Sequence, residues 1–377
     1  MDLTALLVLM AQRNASDLLL SPGAPPTFKL EGLCRPHGDV PLSAADVRSM
    51  ADSVMTPQQQ AEFDAHWEMN LAIAMDEVGR FRVNLYRQRG DVAMAVRYIT
   101  NRIPSIETLN LPPLLKDVVL LPRGLVLVVG STGSGKSTTL ASMVDYRNNH
   151  RAGHILTVEE PIEYLHRHRL SVVDQREVGL DTHSYANALK NAMREAPDVI
   201  MIGEIRDRET MQAAIAYAET GHLCLSTLHA NNANQTLDRI INFFPDSARE
   251  QLLVDLSLNL RAVIGQRLLK GLRSKRIPAV EVLRSTPFVA DLIAKGEIAA
   301  IREAMKLGSD GMQTFDQALY DLYASGEISY GEAMDNADSR TDLALRVRLR
   351  GPAPEIGEAD EMQLEDMPAA TTGPGER

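Results

Sequence analysis

The sequence predicts an α/β protein built on a parallel sheet, preceded by a smaller α/β module. Three observations predict it. Four short apolar runs, LVLVV (125–129), HILTV (154–158), DVIMI (198–202) and HLCLST (222–227), alternate with helical stretches, the rhythm of parallel strands joined by crossover helices. Ahead of them, two segments alternate apolar and polar residues with period two. Between the first apolar run and a helical stretch (135–148) stands GSTGSGKST (130–138).

Taken in order, the first residues, MDLTALLVLMAQRNASD, read as an amphipathic helix; Asp2 stands where a signal peptide would carry positive charge. Ser43 and Thr56 are helix N-caps, the second followed by Pro57 at the first helical position. In RFRVNLYR, Phe81, Val83 and Leu85 form one face and Arg80, Arg82 and Asn84 the other. In DVAMAVRY, Val92, Met94 and Val96 oppose Ala93, Ala95 and Arg97. Both are strands with one buried face, and Arg82 and Arg97 lie on the opposite one. TNRIPSIETLNLPP supplies a linker (101–113) between a module over 1–100 and a larger domain over 114–350. From about residue 247 the pattern is mostly helical. Residues 351–377 carry seven acidic residues against one Arg and no periodicity, the composition of a disordered tail.

The charge balance narrows the partners. Across 377 residues, 39 Lys and Arg against 50 Asp and Glu leave a net charge of −11, which speaks against tracking along a nucleic-acid backbone. The two cysteines, Cys34 and Cys224, can build neither a disulfide framework nor a four-cysteine zinc site, and are expected as small buried residues. No uninterrupted apolar stretch approaches the roughly 20 residues of a membrane span, so membrane contact is expected to be peripheral.

The motif at 130–137 matches GxxxxGK[ST] in its strand–turn–helix setting. Backbone N–H groups from Ser131, Thr132, Gly133, Ser134, Gly135, Lys136, Ser137 and Thr138 are expected to cradle the phosphates of ATP at a helix N-terminus. Lys136 should reach the β- and γ-phosphates, and Ser137 should offer its hydroxyl to Mg²⁺. Ligands of a parallel sheet bind at the strands' carboxyl ends. There the second run delivers Glu159, Glu160 and Glu163, the third Glu204, and the fourth His229. Phosphoryl transfer to water needs a metal clamp and a group that orients the water. Glu204 takes the Mg²⁺ role and Glu163, after Pro161, activates the water, although the two could be exchanged. His229 is placed to sense the γ-phosphate. A zinc site shared by His222 and His229 fails on distance, since a strand between them separates the rings by roughly 23 Å.

TGSGKSTTLA, ILTVEEPIEY, VDQREVGLDT, DVIMIGEIRDRETMQAAIAYAETGH and STLHANNA together resemble the secretion-superfamily ATPases, and within them the type IV pilus retraction branch, the PilT/PilU family. NASDLLLS and GMQTFDQAL extend the likeness to both ends, and the paired CxxC of pilus-assembly relatives is absent. The resemblance implies a PAS-like N-terminal domain, a RecA-like ATPase domain with C-terminal helices, and a homo-hexameric ring. It implies a Walker A at 130–138, an Asp box at 159–163, a Walker B at 199–204 and a His box at 222–229. It also implies that Arg82 and Arg97 point at a neighbouring subunit's nucleotide. Leu19 replaces a common His, Glu160 the usual Asp of the Asp box, and 288–298 departs from the branch pattern. These departures lean toward the accessory, PilU-type members. The implied setting is the cytoplasmic face of the inner membrane at the pilus base, beside a PilT-like ATPase and a PilC-like platform protein. The alternatives are the principal retraction ATPase or a DNA- or protein-transfer ATPase of the same superfamily.

Overall fold

The computed structural model describes residues 2–350 except 31, 76, 77, 101, 274 and 275; the acidic stretch 351–377 lies outside the described residues. The first sheet holds β1 (Asp17–Leu20), β2 (Thr27–Leu30), β3 (Leu33–Pro36), β4 (Glu68–Met75), β5 (Gly79–Gln88) and β6 (Asp91–Ile99) in the order β3-β2-β1-β6-β5-β4. Every neighbouring pair is antiparallel. The period-two pattern is realised as read: Phe81, Val83, Leu85, Met94 and Val96 enter one core with Leu18, Phe28 and Phe63. The same register sets Arg82 directly opposite Arg97 on the other face. Helices Ala44–Asp52 and Pro57–His66 start where expected, because Ser43 and Thr56 each accept from the third residue's N–H and receive its side chain in return.

The second sheet holds β7 (Gly124–Val129), β8 (Gly153–Glu159), β9 (Ser171–Glu177), β10 (Val199–Ile202), β11 (Leu223–Leu228), β12 (Leu260–Leu269) and β13 (Ile277–Arg284). Their order is β13-β12-β7-β11-β10-β8-β9, and from β12 to β9 every pairing is parallel. The four apolar runs are its centre, buried on both faces. Leu125, Leu127 and Val129 pack into one core and Val126 and Val128 into another, as alternation along a strand requires.

Besides β1 to β4 of the first sheet, three strands of this sheet are not among those expected from the sequence. β9 is a half-polar edge strand, and β12 and β13 interrupt a stretch that is otherwise mostly helical after residue 247, as expected. β12 follows helix Arg249–Asn259 without an intervening turn, so no Gly or Pro marks the change of period. Its pairing with β7, not its local pattern, makes it a strand. Cys224 is buried as expected, but Cys34 is exposed on β3.

The described chain divides into two compact units, one of residues 1–267 and 280–314, the other of 268–279 and residues from 315 on. The second unit has its own core, in which Leu269, Ile277 and Ala279 meet Phe315, Leu319, Ile328 and Leu343. Among the described residues, no helix is long and apolar enough to cross a membrane.

Candidate functional site

Parallel pairing brings the carboxyl ends of β7, β8, β10 and β11 to one edge. At the end of β7 the chain turns through residues 130–135 into helix Lys136–His150, with Gly135 in the left-handed region at φ 90°. A Cβ on Gly130 would collide with the Gln266 carbonyl oxygen and with Ser134 Oγ; one on Gly135 would lie 2.8 Å from Gln266 Nε2. The loop is therefore drawn tight over β12, and its shape depends on residues that lack side chains there. Ser134 Oγ is buried without a protein partner among the described residues. Ser131, Thr132, Gly133 and Ser137 are exposed on the loop's outer side. Thr138 Oγ1 lies 2.9 Å from the Tyr164 hydroxyl. A tight glycine loop with an unpartnered hydroxyl, opening onto a helix N-terminus, fits phosphate oxygens.

Lys136 Nζ donates to the carbonyls of Gly130 and Ser131, each at 2.9 Å. Burial lowers its pKa, and the Glu204 charge works in the opposite direction. Glu204, at the end of β10, accepts from Arg206 Nε at 3.0 Å, and His229 Nε2 stands 3.0 Å from its other oxygen. Arg206 also reaches Glu160 at 3.1 Å, tying the ends of β8 and β10 together. Glu204 and His229 thus meet directly, and Lys136 stands near enough for the Glu204 charge to act on it.

Glu163 joins the edge through its backbone. Its side chain is exposed, and its N–H donates to Glu159 at 3.4 Å. Glu159 is buried and accepts from Thr157 Oγ1 at 2.7 Å and Gln175 Nε2 at 3.1 Å. Burial raises its pKa to about 7. Because the folded value lies above the ordinary 4.5, this group's contribution to stability is fully present below about pH 4.5 and is lost as pH rises through 7. Wild type should therefore lose ground to Glu159→Gln between pH 5 and pH 8, by on the order of 3 kcal/mol, in urea melts at the two values. A difference independent of pH contradicts this.

Arg82 and Arg97 are engaged elsewhere in the chain. Arg82 Nε lies 3.1 Å from the Glu177 carboxylate, and Arg97 Nε lies 2.9 Å from Asp17. His222 sits at the other end of β11 with Nδ1 3.1 Å from Thr220 Oγ1. Among the described residues, no group of three His, Cys, Asp or Glu side chains could hold a metal ion by itself. Sequence reasoning missed two residues. One is Arg206. The other is Gln266, whose Oε1 accepts the buried Thr139 hydroxyl at 2.6 Å and so fixes the underside of the loop. A lone glutamine inside the apolar run AVIGQ was its only local signal.

A glycine-rich phosphate loop at the edge of a parallel sheet, faced by carboxylates from neighbouring strand ends, defines a P-loop nucleoside-triphosphatase domain. Residues 69–299 match the family described as Type II/IV secretion system protein, and the chain belongs to that family. It is 51% identical to the type IV pilus ATPase PilU of Pseudomonas aeruginosa, over 93% of this chain and 92% of the relative. It is 40% identical to the type IV pilus retractation ATPase PilT of the same organism, over 89% of this chain and 98% of that one. A crystal structure of the pilus retraction motor PilT with bound ADP superimposes with a TM-score of 0.85 at 39% identity, covering 92% of this chain and 99% of that one.

Proposed function

We propose that the protein is an ATP-hydrolysing motor that helps to retract type IV pili, acting beside and depending on a PilT-like retraction ATPase. The observation that carries this reading is the near full-length likeness to PilU at 51% identity. In the proposed arrangement a PAS-like domain over 1–100 is joined by the linker 101–113 to the ATPase domain, and six copies form a ring. The ring works at the cytoplasmic face of the inner membrane, against a PilC-like platform protein, with no nucleic-acid partner.

The residues 131–138 hold the phosphates of ATP. Lys136, half-buried and able to exchange its carbonyl contacts for phosphate oxygens, compensates charge at the β- and γ-positions. Ser137 and Glu204 would hold Mg²⁺, which when bound neutralises charge on the phosphates. Glu163, hung from Glu159 by its backbone, orients and deprotonates the attacking water. His229, in contact with Glu204, links the γ-phosphate position to the end of β11. Arg82 and Arg97 complete the site of the adjoining subunit.

Deletion of the gene in a piliated host tests the reading. Cells should remain piliated or become over-piliated, with twitching impaired, as scored by electron microscopy and stab-agar spreading. Removing the PilT-like ATPase as well should be no worse than removing that ATPase alone. Bald cells would make this an assembly motor, and pili that retract on this motor alone would refute the dependence.

A further inference from the structure

β9 ends in Glu177, whose side chain is only 1% exposed. A buried carboxylate stays charged only if it is paired and hydrogen-bonded. One oxygen of Glu177 meets Arg82 Nε at 3.1 Å. The other lies 3.9 Å from an Arg80 Nη and accepts the Ile162 N–H at 3.4 Å. Arg80 and Arg82 are two residues apart on β5, so they project from the same face of the N-terminal sheet. Ile162 immediately precedes Glu163. One carboxylate therefore touches both the strand that carries Arg82 and the turn that carries Glu163.

We propose that Glu177 is the in-chain seat of Arg82: it holds the guanidinium until a neighbouring subunit's phosphate takes it, and it positions the Glu163 turn meanwhile. The proposal rests on the reading of Arg82 as an arginine supplied to the adjoining site. Arg82 is 32% exposed, so a phosphate can approach it from outside, and a triphosphate offers it more negative charge than one carboxylate. Its departure does not strip Glu177 of a cation. Arg80, 19% exposed and already 3.9 Å away, can close on the vacated oxygen. Without that reserve, removing one partner would leave an uncompensated buried charge, the costly case for buried pairs. When Glu177 re-pairs, its bond to Ile162 N–H changes too. Nucleotide in one subunit is thereby reported to the Glu163 turn of the next.

Two measurements on the full chain test this. The first is a double-mutant cycle of Arg82→Gln and Glu177→Gln, read from urea unfolding without nucleotide and again with a non-hydrolysable ATP analogue at ring-forming concentration. Without nucleotide the pair should couple by about tenfold in the folding equilibrium, the factor of a charge-assisted hydrogen bond. With the analogue most of that coupling should vanish. No coupling in the first condition, or the same coupling in both, overturns the proposal. The second is ATPase rate against protein concentration. Glu177→Gln frees Arg82 and should reach half-maximal rate at a several-fold lower concentration. Arg80→Gln removes the reserve cation and should shift it several-fold higher, which keeps the test intact if Glu177→Gln folds poorly. Shifts of the same sign, or none, overturn it. If instead Arg82 does not act between subunits, the nucleotide-free coupling survives while subunit mixing restores no activity, and that pattern separates the two failures.

Discussion

Lys136→Ala should abolish ATP hydrolysis. Its ammonium is the positive side chain of the phosphate loop, and it is held there by the Gly130 and Ser131 carbonyls. A charge placed at developing negative charge in a partly dehydrated site is worth on the order of 10²–10³ in rate, and a methyl group offers no replacement. Phosphate release by the assembled protein measures the loss, and an unchanged thermal melt separates it from unfolding. Glu163→Gln should behave differently. It should still bind a fluorescent ATP analogue while its turnover collapses, because it keeps the backbone bond to Glu159 and loses only the base. If Glu163→Gln turns over normally and Glu204→Gln is the variant that binds without turnover, the two roles are exchanged.

Arg82→Ala should lower the rate by on the order of 10³–10⁵, the worth of an arginine supplied to a phosphoryl-transfer site from a neighbouring molecule. Mixing it with Lys136→Ala subunits should restore part of the activity, since each subunit then carries what the other lacks. Both variants alone must be inactive for the result to count. A strictly monomeric enzyme that hydrolyses ATP at the wild-type rate would refute the ring. A mixture as inactive as its components would place Arg82 outside the adjoining site.

Much of this molecule is legible from short stretches of chain. The phosphate loop needs one strand, one turn and one helix, all within 124–150, and glycines at the positions where a side chain would strike β12. The four central strands are continuous apolar runs because both of their faces are buried, a property that local composition records. β5 and β6 alternate because one face is buried, and their pairing sets Arg82 across from Arg97. The parallel order of the central strands then suffices to bring Glu163, Glu204 and His229 to the edge that carries Lys136.

The properties decided only by tertiary structure involve partners far apart in sequence. Gln266 supports the loop through Thr139, 127 residues away, and nothing near either residue announces the bond. β12 is a strand because β7 offers it an edge. Glu159 and Glu163 stand four positions apart in one acidic turn, yet the first is buried with its pKa raised to about 7 and the second is exposed. Arg82, which the strand pattern places only on the face away from the core, is held by a buried carboxylate from β9. Residue type, period and spacing were enough to determine the four central strands, β5 and β6, the phosphate loop and most of the chemical inventory of the site. Which charge is dehydrated, and which cation stands beside it, depended on the assembled surroundings, because desolvation and pairing are set by whatever the fold packs around a group, not by its neighbours along the chain.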